Sequence, residues 1–238
     1  MRRNVLVTGA AVRLGREIAV CMARSGWGVV IHANRSAAAA GELRRALLEE
    51  GRAAWTVVGD LAKPDGPDAV FRQALDAAGQ LDALVNNAAV FERQPLRSAA
   101  PDDFERLWRI NALVPIRLTA LLVRHLDERG AVGTVVNMLD RRIDHAEAGA
   151  MPYLLSKKSL EAFTLSAALE LGGRARVNAV APGAVLRPSV PAGSEPAGFF
   201  PTGARPSCAQ VAEAARYLLE AESVTGQILY VDGGQHLL

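Results

Sequence analysis

Seven short apolar runs recur along the chain, and segments with helical periodicity lie between them. The runs are rich in Val, Ile and Leu without strict alternation, which is typical of parallel strands covered on both faces. This pattern predicts a single-domain Rossmann-type doubly wound sheet of seven parallel strands, flanked by helices and spanning residues 1–238. The predicted strands are 4–8, 28–33, 53–58, 81–86, 133–139, 176–181 and 227–231, and the predicted helices are 14–25, 37–50, 66–78, 102–129, 151–171 and 208–221.

Composition excludes several other classes of protein. Half of the 238 residues are hydrophobic and 22% are charged, so a large core is expected rather than disorder. The net charge is +2 and the basic block is only Met1-Arg2-Arg3, which argues against a nucleic-acid partner. No signal-peptide pattern precedes the first strand, and no apolar run reaches the roughly 18 residues of a membrane helix. We therefore expect a soluble, cytoplasmic protein that contacts neither nucleic acid nor membrane.

One long segment, 183–207, lacks periodicity. It contains five Pro and four Gly, which oppose a regular element. Because it follows the sixth strand, it falls at the carboxyl edge of the sheet, where ligands bind in such folds. We interpret it as a substrate-lid loop; the alternative is a flexible insertion without function.

The turn after the first strand, in "NVLVTGAAVRLGREIA", leads directly into a helix. Small residues there let the backbone approach a pyrophosphate, and the helix N-terminus supplies amide donors. This predicts a cofactor-binding turn formed by Gly9, Arg13, Leu14 and Gly15, in which Arg13 occupies the place of a middle glycine. A tight turn without ligand is the alternative.

The second strand ends in "HANRS", which has no acidic residue for the ribose hydroxyls of NADH. Arg35 can contact a 2′-phosphate through two charge-assisted hydrogen bonds, and Ser36, with Asn34 beside Arg35, adds polar groups. The segment therefore predicts NADPH as the cofactor, unless Arg35 is simply a solvated surface residue.

Tyr153 and Lys157 are four residues apart and share a helix face. An ammonium nearby should lower the pKa of the phenol, which makes the Tyr a better proton donor and acceptor. The chain has only three Lys among 27 basic residues, which suggests a role that Arg does not fill. The alternative is an ordinary amphipathic helix.

Asp140 lies thirteen residues before Tyr153. A carboxylate accepts hydrogen bonds from amino and ring N–H groups but repels a developing oxyanion, so it suits a nitrogen heterocycle better than a ketone. A protonated Asp140 could instead deliver a proton with Tyr153. The alternative is a structural Asp that caps a turn or pairs with Arg141 or Arg142.

The ordered motifs "TGxxxxxG", "VVGDL", "LVNNA", "RIN", "YxxxK" and "TGQILYVDGG" resemble the short-chain dehydrogenase/reductase family over nearly the whole chain. The resemblance implies that Asp60 and Leu61 flank the adenine of the cofactor. It implies that the "NNA" segment, with Asn87 and Ala88, lines the cofactor. It also implies that Asn111, in the fourth predicted helix, holds a proton-relay water near Lys157.

Ordinary members of that family have Ser where this chain has Asp140. The pteridine reductase branch, with its dihydromonapterin and dihydrofolate reductases, departs in this way, and Arg13, "HANRS" and "NNAAVF" are similar to it. The resemblance implies that Phe91 stacks a pterin ring against the nicotinamide and that Arg13 bridges cofactor phosphate and pterin. The implied catalytic residues are Asp140, Tyr153, Lys157 and Asn111, and the substrate contacts are Arg13, Phe91, Asp140 and Tyr153.

Three functions remain open at this point. The first is NADPH-dependent reduction of a pterin or dihydropterin C=N bond, the second is reduction of a ketone with Asp140 incidental, and the third is cofactor binding without catalysis.

The family further implies a homotetramer assembled through the fourth and fifth predicted helices and the C-terminal region. After Pro182 and Gly183, which the motif places at the cofactor, Val185 and Arg187 stand where a hydroxyl is usual, and we expect Arg187 to be the substitute.

Overall fold

A computed structural model describes residues 2–145, 147–185 and 198–238. In these ranges the seven predicted strands form one parallel sheet in the order β3-β2-β1-β4-β5-β6-β7, which confirms the doubly wound fold. Each strand lies within one or two residues of its predicted limits. The strands are β1 (Asn4–Val7), β2 (Gly28–Ala33), β3 (Ala54–Val58), β4 (Ala83–Asn86), β5 (Gly133–Met138), β6 (Ala175–Pro182) and β7 (Ile228–Val231).

Helices cover both faces of the sheet. α1, α2 and α7 pack on one face, and α3, α5 and α6 pack on the other, so the central strands are fully buried. The helices are α1 (Arg13–Arg24), α2 (Ala37–Glu49), α3 (Gly66–Ala78), α4 (Pro101–Trp108), α5 (Val114–Arg129), α6 (Met151–Glu170) and α7 (Cys208–Glu220).

The predicted helix 102–129 is not uniform. A π-helical turn, Arg109–Leu113, separates α4 from α5, with Pro115 at the start of α5. Proline lacks an N–H group and disturbs the regular ladder, and single π turns are frequent at functional sites. Apolar periodicity continues through the turn, so the sequence pattern alone does not reveal it.

The strand order reverses between β1 and β4. Leu6 lies opposite Val30 of β2 on one side and opposite Leu84 of β4 on the other. The chains that leave β1 and β4 therefore diverge to opposite faces and open a crevice at the carboxyl edge, where ligands bind in such sheets.

No helix among the described residues is both long and apolar enough to cross a membrane. The same residues contain no His, Cys, Asp or Glu group suited to a metal ion. Cys21 and Cys208 are free and only half-buried, and burial with the Glu213 contact raises the pKa of the Cys21 thiol to about 12. That thiol is therefore protonated and unreactive at neutral pH.

Candidate active site

The turn after β1 is built for close backbone approach. Gly9 adopts φ +63°, and a Cβ on Gly15 would lie 2.1 Å from the Gly9 carbonyl oxygen. The ring of His32 holds this turn, since its Nδ1 accepts from Gly9 N–H at 3.1 Å and its Nε2 contacts Gly59 O at 3.1 Å. Burial lowers the pKa of His32, which keeps the ring neutral with its proton on Nε2.

His32 is a site residue that the sequence interpretation missed. A His inside the otherwise apolar run "GVVIHA" was the available signal. Thr8 was missed as well: its Oγ1 accepts from the N–H groups of Asn87 and Ala88, each at 2.9 Å. The Asn87 side chain donates back to Thr8 O at 2.8 Å, which ties the ends of β1 and β4 together across the crevice.

Arg13 begins α1 with φ +52°, the left-handed conformation that favours glycine. Its side chain is exposed, and Leu14 beside it is half-buried. The first turn of α1 contains no acidic residue that would repel an anion from its amide groups. A residue that bears backbone strain at the entrance of the crevice is a candidate for function.

The "HANRS" segment lies where β2 passes into α2. Asn34 and Arg35 are exposed, and Ser36 occupies the N-cap of α2 without a side-chain capping bond. The first turn of α2 also has no acidic residue. An exposed guanidinium, an uncommitted hydroxyl and a helix N-terminus form a donor set that suits a phosphate group.

Asp60 and Leu61 follow β3 at the same edge. Asp60 Oδ1 accepts from Ala62 N–H at 3.0 Å, which shapes the turn. Leu61 is buried and lines one wall of a cavity of about 160 Å³ together with Leu113 and Val114.

Pro182 is the last residue of β6, and Gly183 follows it. Gly183 N–H donates to Val231 O at 3.1 Å, and a Cβ on Gly183 would lie 2.5 Å from Gln235 Oε1. The glycine is therefore required by packing against the C-terminal segment. Of the predicted lid 183–207, residues 186–197 lie outside the described residues, and so does Arg187.

Tyr153 and Lys157 project from α6 toward the loop after β5, and both are buried. Tyr153 OH donates to Asp140 Oδ2 at 2.9 Å, and Lys157 Nζ donates to the Met138 carbonyl oxygen at 2.7 Å. The structure thus brings the three predicted residues together at the carboxyl end of β5.

The expectation that Lys157 lowers the pKa of Tyr153 is wrong for this arrangement. Burial, followed by the Asp140 carboxylate, raises the pKa of Tyr153 well above its usual value. Burial also lowers the pKa of Lys157 to about 8, since Asp140 offsets only part of the lost solvation. Tyr153 is therefore a protonated phenol at neutral pH and acts as a donor.

Asp140 both caps the turn after β5 and contacts Tyr153. Its Oδ1 accepts from Arg142 N–H at 3.0 Å, as a capping residue would, and Arg142 Nε lies 3.7 Å away. Its Oδ2 faces Tyr153, and the side chain remains partly exposed. One carboxylate oxygen shapes the loop while the other accepts from the Tyr153 hydroxyl.

Asn111 lies in the π turn and not in a regular fourth helix. Its Oδ1 accepts from Val90 N–H at 2.9 Å, and its Nδ2 donates to Val90 O at 2.9 Å and Ser156 Oγ at 3.0 Å. The amide therefore positions the Val90 loop beside α6, and all of its hydrogen-bonding groups already have partners. Ser156 and Val90 are contacts that the sequence did not indicate.

Phe91 follows directly in that loop. Its ring lies 4.8 Å from the Tyr153 ring at 89°, and 48% of the residue is exposed. Edge-to-face contact with Tyr153 leaves ring surface available to a flat ligand. Phe91, Tyr153 and Asp140 consequently form one continuous wall.

Comparison with known proteins agrees with this geometry. FolM alternative dihydrofolate reductase 1 from Brucella suis, crystallised with NADP, superposes with a TM-score of 0.92 at 32% identity, over 99% of this chain and 96% of that chain. Pteridine reductase 1 of Leishmania tarentolae is 32% identical, covering 98% of this chain and 96% of its own length.

A relative with a different activity is similarly close. A putative ketoacyl reductase of granaticin polyketide synthesis from Streptomyces violaceoruber is 31% identical, over 98% of this chain and 96% of its own length. The family model for short chain dehydrogenases matches residues 3–194. With the parallel sheet, the glycine turn and the Tyr153–Lys157 pair, the match shows that this chain belongs to the short-chain dehydrogenase/reductase family of oxidoreductases.

Proposed function

We propose that the protein is an NADPH-dependent reductase of a pterin or dihydropterin C=N bond. The observation that carries the proposal is the hydrogen bond from Tyr153 OH to Asp140 Oδ2, beside the exposed ring of Phe91. A carboxylate at this position accepts from N–H groups, and an aromatic wall stacks on a flat ring. A pterin offers both an N–H edge and a flat ring.

NADPH fits the residues of the crevice. Gly9 and Gly15 leave room for the pyrophosphate at the start of α1, and Arg35 with Ser36 suits the 2′-phosphate. When bound, NADPH supplies the hydride that the ring carbon of the C=N bond accepts. We assign Asn34, Asp60, Leu61, Asn87, Ala88, Pro182 and Gly183 to the remaining cofactor wall.

The residues of this chain then move the proton. Tyr153 carries its proton at neutral pH, as an ordinary phenol does, and burial raises its pKa further, so the proton is available to the ring nitrogen as the hydride arrives. Asp140 orients the hydroxyl and accepts from ring N–H groups. Lys157 donates from the same helix face to the Met138 carbonyl oxygen, and solvent returns the proton to Tyr153 after product release.

Purified protein tests the proposal directly. We expect NADPH oxidation, followed at 340 nm, to depend on added dihydropterin and to fall by about a hundredfold in Tyr153→Phe, since proton donation contributes at least that factor in many enzymes. Tyr217→Phe, an exposed Tyr on α7, is the matched control. A panel of pterins that gives no turnover would reject the proposal.

Ketone reduction is the second candidate, and the ketoacyl reductase relative favours it. Under that function Asp140 would be incidental and Phe91→Ala would leave activity unchanged. Turnover of 3-oxoacyl thioesters or quinones without turnover of pterins would establish it.

We also propose a homotetramer. Exposed apolar side chains lie along α4 and α6, where Trp108, Leu155, Leu165 and Leu169 are 42–87% exposed. A groove of about 320 Å³ between Phe104 and Leu155 runs through this face. Contiguous apolar surface of this kind marks association sites. Light scattering after size-exclusion chromatography tests the subunit count, and a monomer at micromolar concentration would contradict it.

A further inference from the structure

Arg142 lies between the two groups that a flat substrate would contact. Its guanidinium carbon is 5.1 Å from the centre of the Phe91 ring, within the range of a cation–π contact. Its Nε is 3.7 Å from Asp140 Oδ1, so the same side chain forms an ion pair with the carboxylate. The guanidinium therefore occupies the wall that Phe91 and Asp140 share.

The Arg142 side chain is held by ion pairs, and its Nε–H group lacks a hydrogen bond. Arg142 Nε lies 3.0 Å from Glu147 Oε2 but makes no hydrogen bond, although the atom is buried. Glu147 also pairs with Arg141 at 3.3 Å, so two cations share one carboxylate oxygen. A buried N–H group without a hydrogen bond carries a desolvation cost. This cost lowers the free energy needed to move the Arg142 side chain out of its position.

A guanidinium and the amidine edge of a heterocycle are chemically alike. Each presents N–H donors on a planar N–C–N unit, which fits a carboxylate and stacks on an aromatic face. Building on the proposed function, we propose that Arg142 is a specificity-determining residue whose guanidinium occupies the substrate position between Phe91 and Asp140. A flat heterocycle with an N–C–N donor edge takes over both contacts when it binds.

Selectivity follows from this exchange. A ring that carries N–H donors replaces the ion pair of Asp140 as well as the stacking on Phe91, whereas a ketone or quinone replaces only the stacking and leaves the carboxylate unpaired. An unpaired, partly buried charge disfavours the wrong ligand. Arg142 thereby sets a threshold that amidine-bearing rings pass and plain carbonyl compounds do not.

Equilibrium binding to the NADP⁺-loaded protein tests the inference. The probe is 2-aminopyrimidin-4-one, titrated by calorimetry into wild type and Arg142→Met. Because the variant removes a competing cation–π contact and a partly exposed ion pair, we expect about tenfold tighter binding. Arg141→Met is the matched control, since Arg141 shares Glu147 but is not seen against Phe91, and its affinity should stay within about twofold of wild type.

Two further measurements sharpen the result. Arg142→Lys keeps the charge but loses the planar guanidinium. This variant should bind the aminopyrimidinone about threefold more tightly than wild type does. 1,4-Naphthoquinone, which lacks N–H donors, should also bind more tightly to Arg142→Met than to wild type, because the same two Arg142 contacts no longer have to be broken, and it should bind more weakly than the aminopyrimidinone to both proteins. Unchanged or weaker probe binding in the Arg142 variants, an equal gain in Arg141→Met, or quinone binding to wild type as tight as that of the aminopyrimidinone would overturn the inference.

The binding test of Arg142 and the activity test of the proposed function give independent results, because binding of the probe needs no turnover. Absence of dihydropterin reduction together with the tenfold gain would reject the reaction and retain the role of Arg142. Dihydropterin reduction without the gain would reject only the role of Arg142.

Discussion

The Tyr153 hydroxyl donates to Asp140 Oδ2 at 2.9 Å, and burial and the carboxylate together keep that hydroxyl protonated. In most arrangements that activate a phenol, a positive charge lowers its pKa. Here the negative neighbour does the opposite: it keeps on the hydroxyl the proton that reduction of a C=N bond requires, and it makes the phenol a weaker acid.

Replacement of Asp140 by Ser should therefore change substrate preference. A hydroxyl donates to a carbonyl oxygen, which a carboxylate does not, so we expect Asp140→Ser to lose about a hundredfold in kcat/KM for dihydropterin and to gain activity on ketones. Asp140→Asn is the control for shape, since it removes the charge but keeps the size. Steady-state kinetics on both substrate classes checks this, and undiminished pterin turnover in both variants would remove Asp140 from the site.

Replacement of Arg13 by Gly should separate stability from binding. Relief of the left-handed conformation is worth about 1–2 kcal/mol, and the added freedom of unfolded glycine costs about 0.5–1 kcal/mol. We expect the free energy of unfolding to rise by about 0.5 kcal/mol while KM for NADPH and for dihydropterin increases about tenfold. Denaturant titration and kinetics measure the two effects. Arg16→Ala, three residues further along α1, is the charge control. Unaltered KM values would show that Arg13 does not contribute to binding of NADPH or dihydropterin.

Loss of Arg35 should reduce the preference for NADPH over NADH. Charge-assisted hydrogen bonds to the 2′-phosphate contribute about 1.5–3 kcal/mol when formed, and exposure to solvent places the effect at the lower end. We expect Arg35→Ala to raise KM for NADPH about tenfold and to leave KM for NADH unchanged, with the exposed Arg45→Ala on α2 as control. Parallel changes for both cofactors would mean that Arg35 does not contact the 2′-phosphate. Added salt should weaken NADPH binding in wild type more than in the variant.

The buried ammonium of Lys157 should make binding and stability respond to pH in opposite directions. Its pKa in the folded protein is about 8, below the value of about 10.4 in an unfolded chain. Between these values the unfolded chain binds more protons, so the contribution of Lys157 to stability rises with pH. Over the same range the folded protein loses the charge, and kcat/KM for NADPH should fall with an apparent pKa near 8.

Comparison with Lys157→Met isolates the group. The difference in unfolding free energy between wild type and variant should shift in favour of wild type from pH 8 to pH 10, as measured by denaturant titration. A kcat/KM profile in wild type that stays flat to pH 9.5 would contradict the prediction.

Periodicity and motif spacing predicted much of this molecule. The apolar runs located the seven strands, because parallel strands buried on both faces leave a continuous apolar signature. "YxxxK" placed Tyr153 and Lys157 on one helix face, since residues four apart meet there. The carboxyl edge of the sheet as the neighbourhood of ligands followed from the predicted doubly wound fold class.

Contacts between distant segments decided the rest. The clamp of His32 on Gly9 and Gly59, the π turn that carries Asn111, and the position of Arg142 on Phe91 depend on atoms that the sequence separates by tens of residues. The raised pKa of Tyr153 has the same origin, because burial arises only when α6 packs against the loop after β5. The sequence by itself determined the seven strands, the doubly wound fold class, the family and the residue types at the site, because these depend on local periodicity and motif spacing. Only the tertiary structure decided their protonation and partners, because burial and charge proximity are properties of the packed chain.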